Sequence, residues 1–213
     1  MKNKFITLSL ILCIVAGLVL IFIKPIQTLL INNLSQQIKT DNYTPEDVTR
    51  NNETAVSYDF EEVQSLSIWD VLNTQASVKD LPVIGSIYIP NVDMKLPIIK
   101  GVGKSALAAG AGTMKPDQAM GEGNYALASH YLEGKDVLFG PLYELELGDS
   151  IYISDLQYVY EYVTTDIKVI EATDVYIIDD VPGATLLTLI TCAEEGTKRL
   201  SVQAELVSKA EAP

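Results

Sequence analysis

Residues 185–207 read TLLTLITCAEEGTKRLSVQAELV and decide the fold class, because two β-strand patterns flank a short polar turn. The first run, Thr185 to Thr191, is strongly apolar, as a buried strand is. The second run, Leu200 to Val207, alternates apolar and polar residues with a period of two, which is typical of a strand with one wet face. Cys192 and Arg199 stand at the inner ends of these runs. The stretch therefore predicts a β-rich domain with reactive side chains at neighbouring strand ends.

Similar short runs, separated by Gly, Pro and Asp, extend back to Leu81. Gly101 to Gly123 contains six glycines, so it is predicted to be a long connection with a short helix at Lys104 to Ala109 rather than a strand. Several short strands with such spacing favour an antiparallel barrel or sandwich. The further candidate strands are Ile84 to Ile89, Lys95 to Ile99, Tyr125 to Ser129, Ser150 to Ile153 and Gln157 to Val169.

The N-terminus predicts a membrane anchor. Residues 5–23 carry no charge, and at ~1.5 Å per residue this run crosses a hydrocarbon core of roughly 30 Å. Lys24 and Pro25 follow the run where a cleaved signal peptide has small residues, so we expect an uncleaved anchor. Lys2 and Lys4 precede it, which places the N-terminus in the cytoplasm and the remaining chain outside the cell.

The chain between this anchor and Leu81 is polar and irregular. Ile26 to Ile38 and Phe60 to Leu72 keep a helix-like spacing of apolar residues, so we expect a stalk with some helix. The predicted organisation is a cytoplasmic N-terminus (1–4), a transmembrane anchor (5–23), an extracellular stalk (24–80), a β-domain (81–208) and a C-terminal tail (209–213).

Charge and cysteine content exclude two classes of protein. The formal net charge of -13 argues against a nucleic-acid binder, since such binding rests on clusters of Lys and Arg. Of the two cysteines, Cys13 lies within the predicted anchor and Cys192 far from it, so a disulfide-stapled fold is not expected. Cys192 is then a lone thiol in an oxidising compartment and requires an explanation.

Three residues at predicted strand ends can carry chemistry. The single histidine, His130, follows one candidate strand, and Cys192 follows another. A thiol of ordinary pKa, ~8.5, is only a few per cent thiolate at neutral pH, so a cysteine nucleophile needs a base or a positive neighbour. His130 suits the acid/base role, and Arg199 offers N–H donors for substrate or an oxyanion. Each residue alone also fits an ordinary structural role.

The same residues carry a resemblance to a known family. Thr188-Leu189-Ile190-Thr191-Cys192, followed after six residues by Arg199, resembles the Thr-Leu-x-Thr-Cys signature and downstream arginine of sortases. Ala128-Ser129-His130, with Leu138-Phe139-Gly140-Pro141-Leu142 after it, resembles the histidine segment of class A sortases. Ser129 is a departure, because the family more often has Gly before the histidine. The likeness extends over residues 81–207 in order and spacing.

This resemblance implies an all-β fold, a closed eight-stranded barrel with short helices, here preceded by the anchor. It implies a cysteine transpeptidase on the membrane of a Gram-positive-type envelope that cleaves Leu-Pro-x-Thr-Gly motifs of surface proteins between Thr and Gly. Cys192 would be the nucleophile, His130 the acid/base, and Arg199 the group that stabilises substrate or oxyanion. An amine of a cell-wall precursor of the lipid II type would resolve the thioacyl enzyme.

The resemblance also implies a groove for the sorting motif. Thr173 to Ile178 resembles the loop between strands six and seven that grips the motif. An alternating Val/Ile run is also typical of plain strand core, so this alternative stays open. The expected lining residues are Ala128, Val175, Ile177, Ile178, Ile190 and Thr191.

No cofactor is expected. Some class A sortases bind Ca²⁺ before the histidine, where this chain has Lys115 and Gln118 beside Glu122 and Asn124. A lysine ammonium cannot coordinate a cation, and Ca²⁺ takes 6–8 oxygens, several of them anionic. We therefore expect Ca²⁺ independence, with Asp117 and Glu122 as the acidic residues that argue for the alternative.

Three other functions compete with this one. Gly101-Val102-Gly103-Lys104-Ser105 looks like the end of a phosphate-binding loop, but Ile98 stands where that loop needs glycine, and the strand-helix alternation of a parallel fold is missing. A cysteine hydrolase would use water instead of an amine, and the sequence separates it poorly from a transpeptidase. A non-catalytic tethered β-domain would keep its function in a Cys192→Ala variant.

Overall fold

The strand patterns of the sequence form a closed eight-stranded barrel. The computed structural model describes residues 2–59, 67–132, 137–193 and 196–212, with the backbone alone for some residues near the N-terminus and for residue 68. Around the barrel the strand order is β1-β2-β3-β4-β7-β8-β6-β5, which confirms the expected fold. The strands are β1 (Val83–Ile89), β2 (Met94–Ile99), β3 (Ala111–Thr113), β4 (Asn124–Ala128), β5 (Ser150–Ser154), β6 (Tyr158–Glu171), β7 (Leu186–Ala193) and β8 (Lys198–Glu211).

Most neighbouring strands are antiparallel, but β2 pairs with β3 and β4 pairs with β7 in parallel. The chain leaves β4, forms β5 and β6 on the far side of the barrel, and returns as β7 in the direction of β4. Parallel strands bring their carboxyl ends to the same rim. The segments that follow β4 and β7 therefore begin side by side.

The barrel interior explains the apolar pattern of the deciding stretch. On β8, Leu200, Val202 and Ala204 are buried in the main core, as the two-residue period predicts. On β7 both faces are covered, because Leu187 and Leu189 face the main core while Ile190 joins a small outer cluster with Ala126 and Ile178. A strand covered on both faces reads as a continuous apolar run.

The glycine-rich connection holds one strand that the sequence pattern missed. The predicted helix is present as α4 (Lys104–Ala109), but β3 follows it directly and joins β2 to β4. A Cβ at Gly112 would lie 2.4 Å from the carbonyl oxygen of Gly101, so glycine permits the close approach of the chain here. The strand has three residues, too few for a period to show.

Helices α1 (Lys2–Gln37), α2 (Pro45–Asn52) and α3 (Ile68–Ser77) precede the barrel. Side chains from all three, including Leu34, Val48 and Val71, are buried in the same core as the barrel strands. The later part of the expected stalk thus packs on the barrel. Within the described part of the chain, no helix is long and apolar enough to cross a membrane. The anchor over residues 5–23 stays a prediction.

Val71→Ala tests the packing of α3 on the barrel. Val71 is 1% exposed, so its truncation is expected to lower the free energy of unfolding by about 2 kcal/mol through lost burial and a cavity. Leu72, its neighbour on the same helix, is 43% exposed, and Leu72→Ala is expected to change the value by less than about 0.5 kcal/mol. Urea unfolding of the full chain in detergent measures both, and equal effects would contradict the packing.

Candidate active site

The register of three strands places His130, Cys192 and Arg199 side by side. The backbone N–H of Ser129 donates to the carbonyl of Ile190 at 3.2 Å, which continues the parallel β4–β7 pairing past the end of β4. His130 is the next residue after Ser129, and Cys192 lies two residues after Ile190 on β7. On the other side of β7, Cys192 is directly opposite Arg199 of β8. The thiol-bearing residue therefore lies between the two others at one rim.

All nine site residues predicted from the sequence line one cavity of about 130 Å³. Leu107, Met114 and Ile170 also line it, and the sequence pattern did not indicate them. They come from α4, from the segment after β3, and from β6, so only the closed barrel brings them together. The predicted residues are His130, Cys192, Arg199, Ala128, Val175, Ile177, Ile178, Ile190 and Thr191.

Burial controls the protonation of His130, because this residue is only 7% exposed. Loss of hydration lowers the pKa of His130 to about 4, and the Asp70 carboxylate at the start of α3 offsets part of this shift by raising it. The imidazole is therefore neutral at neutral pH. Asp70 comes from the segment expected to be a stalk, and no sequence signal linked it to the histidine.

Arg199 is held by the backbone of its own turn. Its Nη1 donates to the carbonyl oxygens of Gly196 and Lys198 at 2.8 and 2.9 Å. A guanidinium carries five N–H donors in a rigid fork, so anchoring through one nitrogen orients the others. Arg199 also lines the cavity, so this positive fork is held at the same cavity as its strand partner Cys192.

A tyrosine pair lies behind the rim. The Tyr143 hydroxyl donates to the carbonyl of Cys192 at 3.0 Å, and its ring is 4.6 Å from the ring of Tyr131 between centroids. Tyr131 directly follows His130 in the chain. Tyr143 adjoins the Leu138 to Leu142 motif, which was the one sequence signal near it.

The outer wall of the cavity is tied to the barrel by Asn124. This wall is the 3-10 turn Val175–Ile178. The Asn124 amide donates to the carbonyls of Ile177 and Asp179 at 3.0 and 3.1 Å, and its oxygen accepts from the Thr188 hydroxyl at 2.7 Å. A side-chain amide offers both N–H donors and a carbonyl acceptor. The three hydrogen bonds of Asn124 therefore hold the turn against β4 and β7.

At the positions where some class A sortases bind Ca²⁺, the side chains of this protein bond to one another and to the backbone. Lys115 Nζ lies 2.7 Å from Asp180 Oδ1, an ion pair that lowers the pKa of Asp180, and the same oxygen accepts from the N–H of Asn124 at 2.9 Å. The Gln118 amide bonds both backbone polar groups of Ala126. Among the residues that the structure describes, no group of three or more His, Cys, Asp or Glu could hold a metal ion.

Comparison with known proteins agrees with this geometry. A family model described as Sortase domain matches residues 87–207. Sortase A of Streptococcus agalactiae is 42% identical over 205 residues, 93% of this chain and 83% of that protein. Sortase A of Listeria monocytogenes is 40% identical over 198 residues, 92% of this chain and 89% of that protein.

Solved structures show the same fold. The crystal structure of Listeria monocytogenes sortase A has 43% sequence identity and a TM-score of 0.60, covering 62% of this chain and 91% of that chain. Sortase E of Streptomyces avermitilis has 30% identity and a TM-score of 0.53, covering 61% and 90%. Since the family match spans more than half of the chain and the sequence relatives cover most of it, the chain belongs to the sortase family and is a cysteine transpeptidase of the sortase A type.

Proposed function

We propose that this transpeptidase cleaves Leu-Pro-x-Thr-Gly motifs of surface proteins between Thr and Gly. It then transfers the threonyl end to an amine of a cell-wall precursor of the lipid II type. The observation that supports this most is the single cavity that combines Cys192, His130 and Arg199 with an apolar outer wall. The relatives named sortase A support the same reaction class.

In this proposal Cys192 is the nucleophile and His130 is the acid/base. The neutral imidazole accepts the thiol proton, and the thiolate attacks the carbonyl of the Thr-Gly bond. The C–N bond then breaks, and the imidazolium gives its proton to the leaving glycine amine, so that a thioester with Cys192 remains. A pKa of about 4 makes the imidazolium a strong proton donor and the thiolate–imidazolium pair a minor state.

Arg199 is the group that stabilises the negative charge formed in this attack. Its position opposite Cys192 on the neighbouring strand places a permanent cation beside the new oxyanion or the bound peptide. The backbone bonds to Gly196 and Lys198 preorganise it, so little reorganisation is needed during the reaction.

The apolar side chains of the motif bind along the outer wall. Val175 is 67% exposed and stands in a 3-10 turn, so it does not belong to a strand core. Covering such side chains with the leucine and proline of a peptide is favourable by roughly 25 cal/mol per Å² of apolar area. Ile177 and Ile178 belong to the same wall, and Ala128, Ile190 and Thr191 line the cavity from β4 and β7.

We also propose that the enzyme needs no divalent cation and that it is anchored in the cell membrane. The ammonium of Lys115 pairs with Asp180, where a divalent ion would otherwise neutralise carboxylates. The uncharged run at residues 5–23, with Lys2 and Lys4 before it, supports a single-pass anchor in the cell membrane with the catalytic domain outside.

Mass spectrometry of the full chain with a Leu-Pro-Glu-Thr-Gly peptide and triglycine tests the reaction. We expect cleavage between Thr and Gly and a triglycine-ligated product. Cys192→Ala abolishes both, and Arg199→Ala slows cleavage by on the order of 100-fold because an oxyanion donor is lost. Lys168→Ala is the control, because it removes an exposed cation on β6, and this variant retains full activity. Hydrolysed peptide as the sole product would favour a hydrolase, and no cleavage would refute the proposed motif.

NMR titration tests the state of His130, which is unambiguous because the chain has one histidine. We expect a pKa of about 4, lowered further in Asp70→Asn because a carboxylate that favours the imidazolium is removed. Asp47→Asn, in the matching capping box of α2, leaves it unchanged. Titration near pH 6.5 in the folded protein would contradict the buried, neutral imidazole.

The same shift predicts how stability depends on pH. The pKa of His130 is lower in the folded chain than in the unfolded one, so the unfolded chain binds the proton first as pH falls. The contribution of His130 to the free energy of unfolding is fully present above about pH 6.5. It is lost as the pH falls toward 4, and the loss amounts to at most about 3 kcal/mol.

A calcium titration tests the expected cofactor independence. The initial rate of peptide cleavage should agree within about twofold between a chelator and millimolar Ca²⁺, since Lys115 supplies the positive charge beside Asp180. Mg²⁺ at equal ionic strength is the control for screening. A saturable rate increase specific to Ca²⁺ would show that Asp117 and Glu122 suffice for binding after all.

A further inference from the structure

The Tyr143 hydroxyl takes the place of a strand amide where β4 ends. The carbonyl of Ile190 accepts from the N–H of Ser129 at 3.2 Å. Carbonyls two residues apart on a strand point to the same side, so the carbonyl of Cys192 also faces the β4 side of β7. There it accepts from the Tyr143 hydroxyl at 3.0 Å. A side chain thus extends the ladder by one bond to the residue that carries the thiol.

The same tyrosine contacts the segment that carries the histidine. Its ring packs on Tyr131, the residue after His130, with centroids 4.6 Å apart and planes at 37°. Tyr143 lies in the 3-10 turn Gly140–Glu144, and the residue before this turn, Phe139, donates its N–H to the carbonyl of His130 at 3.2 Å. This turn and the residue before it therefore bond the backbone carbonyls of both Cys192 and His130, the two residues proposed to exchange the proton.

Exposure argues against a purely structural role for this tyrosine. Tyr143 is 44% exposed, whereas the tyrosines of the barrel core, Tyr125 and Tyr162, are almost fully buried. Its hydroxyl bonds the penultimate residue of β7, close to where the strand ends. Strand ends fray easily, and a displacement of about 1 Å between reacting groups costs on the order of 100-fold in rate.

We propose that Tyr143 is a positioning residue for the transpeptidation reaction, whose hydroxyl holds Cys192 in register with His130. The proposal rests on the roles given to Cys192 and His130 in the proposed function. It makes the 3-10 turn Gly140–Glu144 a third support of the site, beside β4 and β8.

Tyr143→Phe in the full chain removes the hydroxyl and keeps the ring pair. We expect kcat for peptide cleavage to fall about tenfold with KM within twofold, and the midpoint of urea unfolding to stay unchanged. Tyr152→Phe is the matched control. Tyr152 lies on β5, and its hydroxyl also donates a hydrogen bond, to the Glu161 carboxylate at 3.0 Å. This variant keeps the wild-type kcat.

Alkylation of Cys192 by iodoacetamide, followed by peptide mapping, needs no peptide substrate and therefore separates the two proposals. We expect the rate of alkylation at neutral pH to fall about tenfold in Tyr143→Phe, because the thiol is no longer held in register with His130, even if the Leu-Pro-x-Thr-Gly motif proves wrong. A wild-type alkylation rate together with wild-type kcat overturns the positioning role. So does a lower kcat that is matched by a lower unfolding midpoint with an unchanged alkylation rate.

Discussion

The parallel pairing of β4 with β7 is the constraint on which the site depends. Two segments more than sixty residues apart end at the same rim because their registers are locked, and the Thr191 hydroxyl adds a second tie by donating to the carbonyl of Ser129 at 2.8 Å. This pairing places His130 and Cys192 at the same rim. Arg199 is brought in by the antiparallel neighbour β8, so the three residues are set by backbone geometry.

This geometry also determines the electrostatics. A histidine at the end of a buried parallel strand loses its hydration, which lowers its pKa and leaves a neutral imidazole next to the thiol. Asp70 opposes this lowering of the pKa of His130. It lies on α3, a helix outside the barrel, and the neighbouring Val71 is part of the common core. Through Asp70 the helices before the barrel therefore influence the pKa of His130, although none of their described side chains lines the cavity.

The walls of the cavity are held by polar contacts rather than by apolar packing alone. Asn124 connects the turn that carries Val175 to two strands, and Lys115 with Asp180 extends this network to the surface. Gly123 belongs to it as well, since with φ +53 a Cβ there would lie 2.7 Å from the Asp180 carboxylate. Such a network keeps the apolar wall in place, and this preorganisation would reduce the entropy cost of the peptide binding proposed above.

The sequence by itself determined the strands with a visible period, such as β8. It also predicted that His130, Cys192 and Arg199 share one site, because the single histidine and Cys192 stand at the ends of strand patterns, and the structure brings all three to one cavity. It missed β3, which is too short for a period, and it treated residues 24–80 as a stalk although Leu34, Val48 and Val71 are buried. Asp70, Asn124 and Tyr143 emerged only from the tertiary structure. Their partners are distant in sequence, and local periodicity carries no information about such contacts.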